Sequence, residues 1–202
     1  MTTNLPGFDV RYMRWVFPNN HSLAQELCRF GKYRLAEQLL RTELEVTEEV
    51  FGADSSKVDV PALGLGEFLL ARGQAAEAQS CFERSLRLGP AAQSEPPAIP
   101  VAHRLQYIGQ CQLALGFIDE AKAKISEALR MVCSSWGPKS VGAMQLRLGL
   151  AAVLRSEAKL ASAAGHYVAA LFCTYKAEDL EATAAASGLI HSSYNWPNNP
   201  YA

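Results

Sequence analysis

Long apolar runs are missing from this 202-residue chain. No stretch approaches the roughly 20 residues that a bilayer-spanning helix needs, so membrane insertion is not expected. A surplus of either charge is also missing. The formal net charge is −1, with acidic and basic residues interspersed, so no broad basic face for nucleic acid is expected. The N-terminal "MTTNLPGFDVRYMRWVF" has no continuous apolar core of the secretory kind. Its Arg11 and Arg14 resemble those of a mitochondrial presequence, but Pro6, Gly7 and Asp9 oppose that reading. The five cysteines, Cys28, Cys81, Cys111, Cys133 and Cys173, are odd in number and widely spaced. Reduced, buried thiols in a cytoplasmic compartment are the simplest expectation, with a mitochondrial or a ciliary or cytoskeletal assembly left open.

Chemistry-bearing motifs are scarce too. There is no Cys-x-x-Cys, and none of His21, His103, His166 and His191 pairs with another at helical ligand spacing, so no metal site is expected. "GLGEFLL" (Gly64–Leu70) has two glycines of a phosphate loop but neither a third nor a preceding strand. No serine or cysteine stands in a nucleophile motif. No catalytic residue and no cofactor are expected. Glu43, Glu45, Glu48 and Glu49 in "TELEVTEEV" read as the solvated face of a helix, with an acidic docking patch as the lesser alternative.

What the chain has is a repeat. In "LCRFGKYRLAEQLL" (Leu27–Leu40) the apolar spacing is helical, yet Gly31 interrupts it at a cost of about 1 kcal/mol if the helix were continuous. Gly31 aligns with Gly73, Gly116 and Ala158. Eight residues before this mark stand Leu23, Leu65, Ile108 and Leu150, and seven before it Ala24, Gly66, Gly109 and Ala151. Five after it stand Ala36, Ala78, Ala121 and Ala163. Nine after come Leu40, Phe82, Ile125 and Tyr167, and thirteen after come Leu44, Leu86, Leu129 and Leu171. Small residues let two helices approach, large ones fill the space between successive pairs, and the mark sits in the turn. The unit is a helix hairpin that buries its apolar face only by stacking on neighbours.

These columns resemble the tetratricopeptide repeat, in the longer-period form of kinesin light chains. That form closes its second helix with a glycine turn, and "VFGADSSKV" (Val50–Val58) and "SWGPKSV" (Ser135–Val141) stand at that place. The second copy departs, stopping at "LGP" (Leu88–Pro90) before a proline-rich loop insertion over 89–100. The resemblance implies an all-α, right-handed superhelical array of four hairpins, a tetratricopeptide-like α-solenoid. The expected layout is an N-terminal extension (1–17), the hairpins (18–174), a C-terminal capping helix (175–194) and a tail (195–202).

Such repeats imply a non-catalytic scaffold whose partners are other proteins. Relatives that read peptides in the inner groove clamp them with asparagines and basic residues. Here all six asparagines, Asn4, Asn19, Asn20, Asn195, Asn198 and Asn199, fall outside the aligned columns. The groove could offer the amides of Gln25, Gln106, Gln110 and Gln145 and the cations Arg29 and Arg155. Aromatic residues concentrate instead beside the array, as Trp15, Phe17, Trp196 and Tyr201. This favours an accessory subunit docked in a larger assembly through its surface and its aromatic-proline tails. A transient adaptor for an extended peptide is the alternative, and an enzyme a distant third.

Overall fold

A computed structural model describes residues 20–89 and 98–186. Among these residues the chain is helical, with no strand. The elements are α1 (Asn20–Arg29), α2 (Tyr33–Phe51), a one-turn 3-10 segment (Ser56–Val58), α3 (Asp59–Ala71), α4 (Ala75–Leu88), α5 (Ala98–Leu115), α6 (Ile118–Trp136), α7 (Val141–Ala163) and α8 (Tyr167–Ala186). They pair as four hairpins, α1–α2, α3–α4, α5–α6 and α7–α8. The architecture is a tetratricopeptide-like α-solenoid. Each second helix packs on the first helix of the next hairpin, and successive first helices also touch, α3 with α5 and α5 with α7. The first helices therefore form the inner row.

The small-residue columns produce this packing. A Cβ on Gly66 would come within 2.8 Å of the Phe82 ring, and one on Gly109 within 2.7 Å of Ile125 Cγ1. Only glycine admits helix approaches this close. Ala24, Ala36, Ala78 and Ala121 are fully buried, as are Phe82 and Ile125, with Leu40 nearly so. The turns repeat as well. Gly31, Gly73, Gly116 and Gly165 all have positive φ, and each donates its N–H to the carbonyl three residues back. The residue after each glycine donates five residues back, to Leu27, Leu69, Gln112 and Ala161. This is the αL glycine stop of a helix. Gly52 and Gly137 end α2 and α6 where "VFGADSSKV" and "SWGPKSV" place them, also at positive φ (88° and 84°) but with extended ψ (147° and 160°), each donating its N–H four residues back, to Glu48 and Cys133.

The fourth hairpin corrects the sequence register. Ala158 is not in the turn but buried inside α7, and the turn lies seven residues later at Gly165. Seven residues are almost two helical turns, so the face is nearly unchanged and the small-residue columns match at either setting, with Ala158 seven before Gly165 and Ala170 five after it, whereas the large-residue columns then fall on Glu157, Thr174 and Glu178. The consequence falls on α8. Leu171, expected to fill the space between helices, is exposed, and so is Ala163. The helix boundary expected at 175 is absent, because α8 runs unbroken from Tyr167 to Ala186 as the second helix of the last hairpin. Residues 187–194 of the expected cap lie outside the described residues.

One buried ionic cluster ties the second hairpin to the third. Arg104 Nη2 donates to both carboxylate oxygens of Asp59, at 2.6 and 2.7 Å, and its Nε donates to Ser85 Oγ at 2.8 Å. Its Nη1 donates to the Pro100 carbonyl, holding the first turn of α5. A Cβ on Gly89 would lie 2.4 Å from the Asp59 carboxylate, so α4 can end there only on glycine.

Candidate interaction surfaces

The inner row carries the groove residues. His21 and Gln25 on α1, Glu67 on α3 and Tyr107 and Gln110 on α5 occupy successive first helices. Gln25 Nε2 lies 2.9 Å from His21 Nε2, so the ring nitrogen accepts from the amide. The same nitrogen lies 3.5 Å from Glu67 Oε2, near enough for contact but not for a full hydrogen bond. Burial holds the His21 imidazole below its ordinary pKa, favouring the neutral ring. Burial also pushes the Glu67 carboxyl up to about 7, while a hydrogen bond from Tyr107 and the field of Arg104 pull the other way. Tyr107 is fixed by stacking on Phe82, with centroids 4.7 Å apart and planes 5° from parallel. Gln110 is 6% exposed, and its Oε1 has no hydrogen-bond partner.

The other sequence candidates are dispersed. Gln106 on α5 and Gln145 on α7 are half-buried. Arg29 is exposed and engaged by Glu26 at 2.6 Å. Arg155 makes a two-point pair with Glu181 of α8, at 2.9 and 2.7 Å, which ties the last hairpin together instead of facing the groove as a free cation. Asn20 is the first residue of α1 and hydrogen-bonds to Glu43. The acidic face of α2 is partly engaged, since Glu48 pairs with Arg84 of α4. Trp15, Phe17, Trp196 and Tyr201 lie outside the described residues. Glu67, the one charged residue of the groove column six before the mark, was not among the residues expected to bind a partner.

The second surface is the outer face of α8. At three, seven and ten residues after the turn glycine, α2 has Arg34, Gln38 and Arg41. At the same places α4 has Ala76, Ser80 and Glu83, and α6 has Asp119, Ala123 and Ser126. In α8 they are Val168, Phe172 and Tyr175, with Leu171 beside them. These four are 85%, 57%, 68% and 73% exposed, respectively. The opposite face, Cys173, Ala177 and Ala184, is buried against α7.

All five cysteines are free thiols. Burial pushes Cys111 up to about 12, far from the thiolate form a nucleophile requires. Among the described residues no cluster of metal-ligating side chains occurs, and no helix is long and apolar enough to cross a membrane.

Residues 18–91 match a tetratricopeptide repeat family model. Two solved structures share the fold. One holds nearly identical TPR-like repeats from a Podosopora anserina protein named as a kinesin light chain. It is 14% identical with a TM-score of 0.62, covering 83% of this chain and 75% of that one. The other is BtubC (BKLC) from P. vanneervenii, 19% identical with a TM-score of 0.59, covering 95% of this chain and 71% of that one. At these identities the likeness carries the fold alone. No curated protein matches the sequence. Tetratricopeptide repeats mediate protein–protein interaction in general, and as a class they are non-catalytic scaffolds.

Proposed function

We propose that this chain is a non-catalytic scaffold, held as an accessory subunit in a larger protein assembly. The docking surface is the outer face of α8, to which the C-terminal segment carrying Trp196 and Tyr201 is joined in sequence. The observation behind this reading is the contrast between helices in matched register: where three second helices present polar or small residues, the fourth presents Val168, Leu171, Phe172 and Tyr175. Each such side chain is worth about 1.5–3 kcal/mol when fully buried, a gain realised only if another surface covers it. The free thiols support placing that assembly in a reducing compartment such as the cytoplasm.

The test is a double substitution, Leu171→Asp with Phe172→Asp, in the full chain. Tagged wild-type protein should co-purify a defined stoichiometric partner. The double variant should lose it while keeping its urea midpoint, and Gln38→Asp, at the matching place on α2, should retain it. An unchanged partner after the double substitution would overturn the reading. So would a wild-type homodimer that the substitution dissociates, since that assigns the face to a second copy.

A further inference from the structure

The turns of the first two hairpins carry a cluster of charge that neither the packing of the array nor the α8 face uses. We propose that Arg29, Phe30, Lys32, Tyr33, Arg34 and Arg72 form a peripheral docking site for an anionic lipid bilayer, against which this edge of the solenoid rests without spanning it.

In "RFGKYR" (Arg29–Arg34) three cations and two aromatic residues surround the turn glycine Gly31, and all six residues are exposed. Phe30 is 67% exposed and Tyr33 38%. The second turn joins the same surface, because the Arg72 guanidinium lies 4.3 Å from the centroid of the Tyr33 ring. Arg29 is offset by Glu26. Among the described residues, Lys32, Arg34 and Arg72 have no acidic partner. The formal net charge of the chain is −1, so this excess of cations is local.

Stability does not account for the cluster. Cations at the start of a helix oppose its dipole. The first turn of α4 carries Glu77, and that of α6 carries Asp119 and Glu120. The corresponding turn of α2 has no acid and begins from Lys32, followed by Arg34.

Shape selects the occupant. Phe30 stands at a turn with open space around it, since a Cβ on Gly31 or on Gly73 would meet nothing within 4 Å. A single nucleic acid strand is held in a groove with ring faces free for successive bases, and here one face of Tyr33 is taken by Arg72. A headgroup layer instead yields around a protruding ring, and it brings many anionic groups to the surrounding cations at once. Lysine and arginine reach such groups on flexible apolar stems. Each cation near an anionic leaflet is worth about fivefold in partition.

The experiment is cosedimentation of the full chain at low salt with phosphatidylcholine vesicles, with and without about 30% phosphatidylserine. Binding to the anionic vesicles should exceed binding to the neutral ones at least tenfold. Lys32→Glu with Arg34→Glu should lose at least tenfold, and Phe30→Ala about threefold. Lys57→Glu with Lys139→Glu makes the same charge change on the exposed segments between hairpins and should alter binding less than threefold. Acids at the start of α2 should keep or raise the urea midpoint, which separates lost binding from lost folding. Equal partition onto the two kinds of vesicle would overturn the proposal. So would equal losses in the two double variants. A polyglutamate peptide or an oligouridylate that binds through the same residues more tightly than the vesicles would reassign the edge and overturn it too. None of these outcomes depends on the α8 face, so this proposal and the assembly reading fail independently.

Discussion

The first three hairpins and the fourth are built to different rules. In the first three, glycine or alanine on the first helix meets Leu40, Phe82 or Ile125 on the second, and the outer positions three, seven and ten after the turn glycine are polar or small, with exposed Val46, Val50, Phe51 and Trp136 lying further along α2 and α6. In the fourth, the residue nine after the turn glycine is Thr174, and bulk has moved to the outside, onto Val168, Leu171, Phe172 and Tyr175. The ionic ties differ likewise. Asp59 and Arg104 are buried between hairpins, whereas Arg155 and Glu181 join α7 to α8 in solvent. The first three hairpins concentrate apolar area on self-association along the array. The fourth leaves it available to something else.

Three substitution pairs would break or sharpen this contrast. The largest effect belongs to the ionic ties. Arg104→Ala strands Asp59 in the interior and should lower stability by about 3–5 kcal/mol. Arg155→Ala removes an exposed pair and should cost no more than about 1 kcal/mol. Urea titration of both variants checks this, and similar losses would erase the distinction.

Next comes crowding. Ala121→Phe forces a ring into a fully buried helix crossing and should cost about 1–3 kcal/mol. Ala170, at the matching place in α8, is only half-buried, so Ala170→Phe should shift the midpoint less. The reverse order would mean that the last hairpin is packed as tightly as the others.

The smallest effect concerns the turns. Gly73→Ala and Gly165→Ala each put a Cβ on a left-handed residue and should each cost about 1–2 kcal/mol. Here the two regions should agree. A silent Gly165→Ala would return the fourth turn to the neighbourhood of Ala158.

Most of the array was legible in the sequence because its packing code is local and repeated. Gly66 and Gly109 recur where a side chain cannot fit, and Ala36, Ala78 and Ala121 where helices cross. What misled the reading was periodicity itself. Intervals of similar length pulled the fourth mark to Ala158, and a shift of almost two helical turns left the small-residue columns looking correct. Leu171 was therefore assigned to the core, and the outer stripe went unseen. The inner polar row was half legible. Gln25 and Gln110 follow from spacing, but the environment of Glu67 depends on Arg104 being engaged by Asp59, a contact across 45 residues that no local pattern announces.

The most direct test of the central claim is hydroxyl-radical footprinting of the protein free and within its native assembly. Phe172 and Tyr175, with Leu171, should be oxidised readily in the free chain and protected in the assembly, while Tyr33 and Phe117 near the earlier turns should react alike in both. Equal oxidation of α8 in the two states, or protection confined to the inner row, would contradict the account.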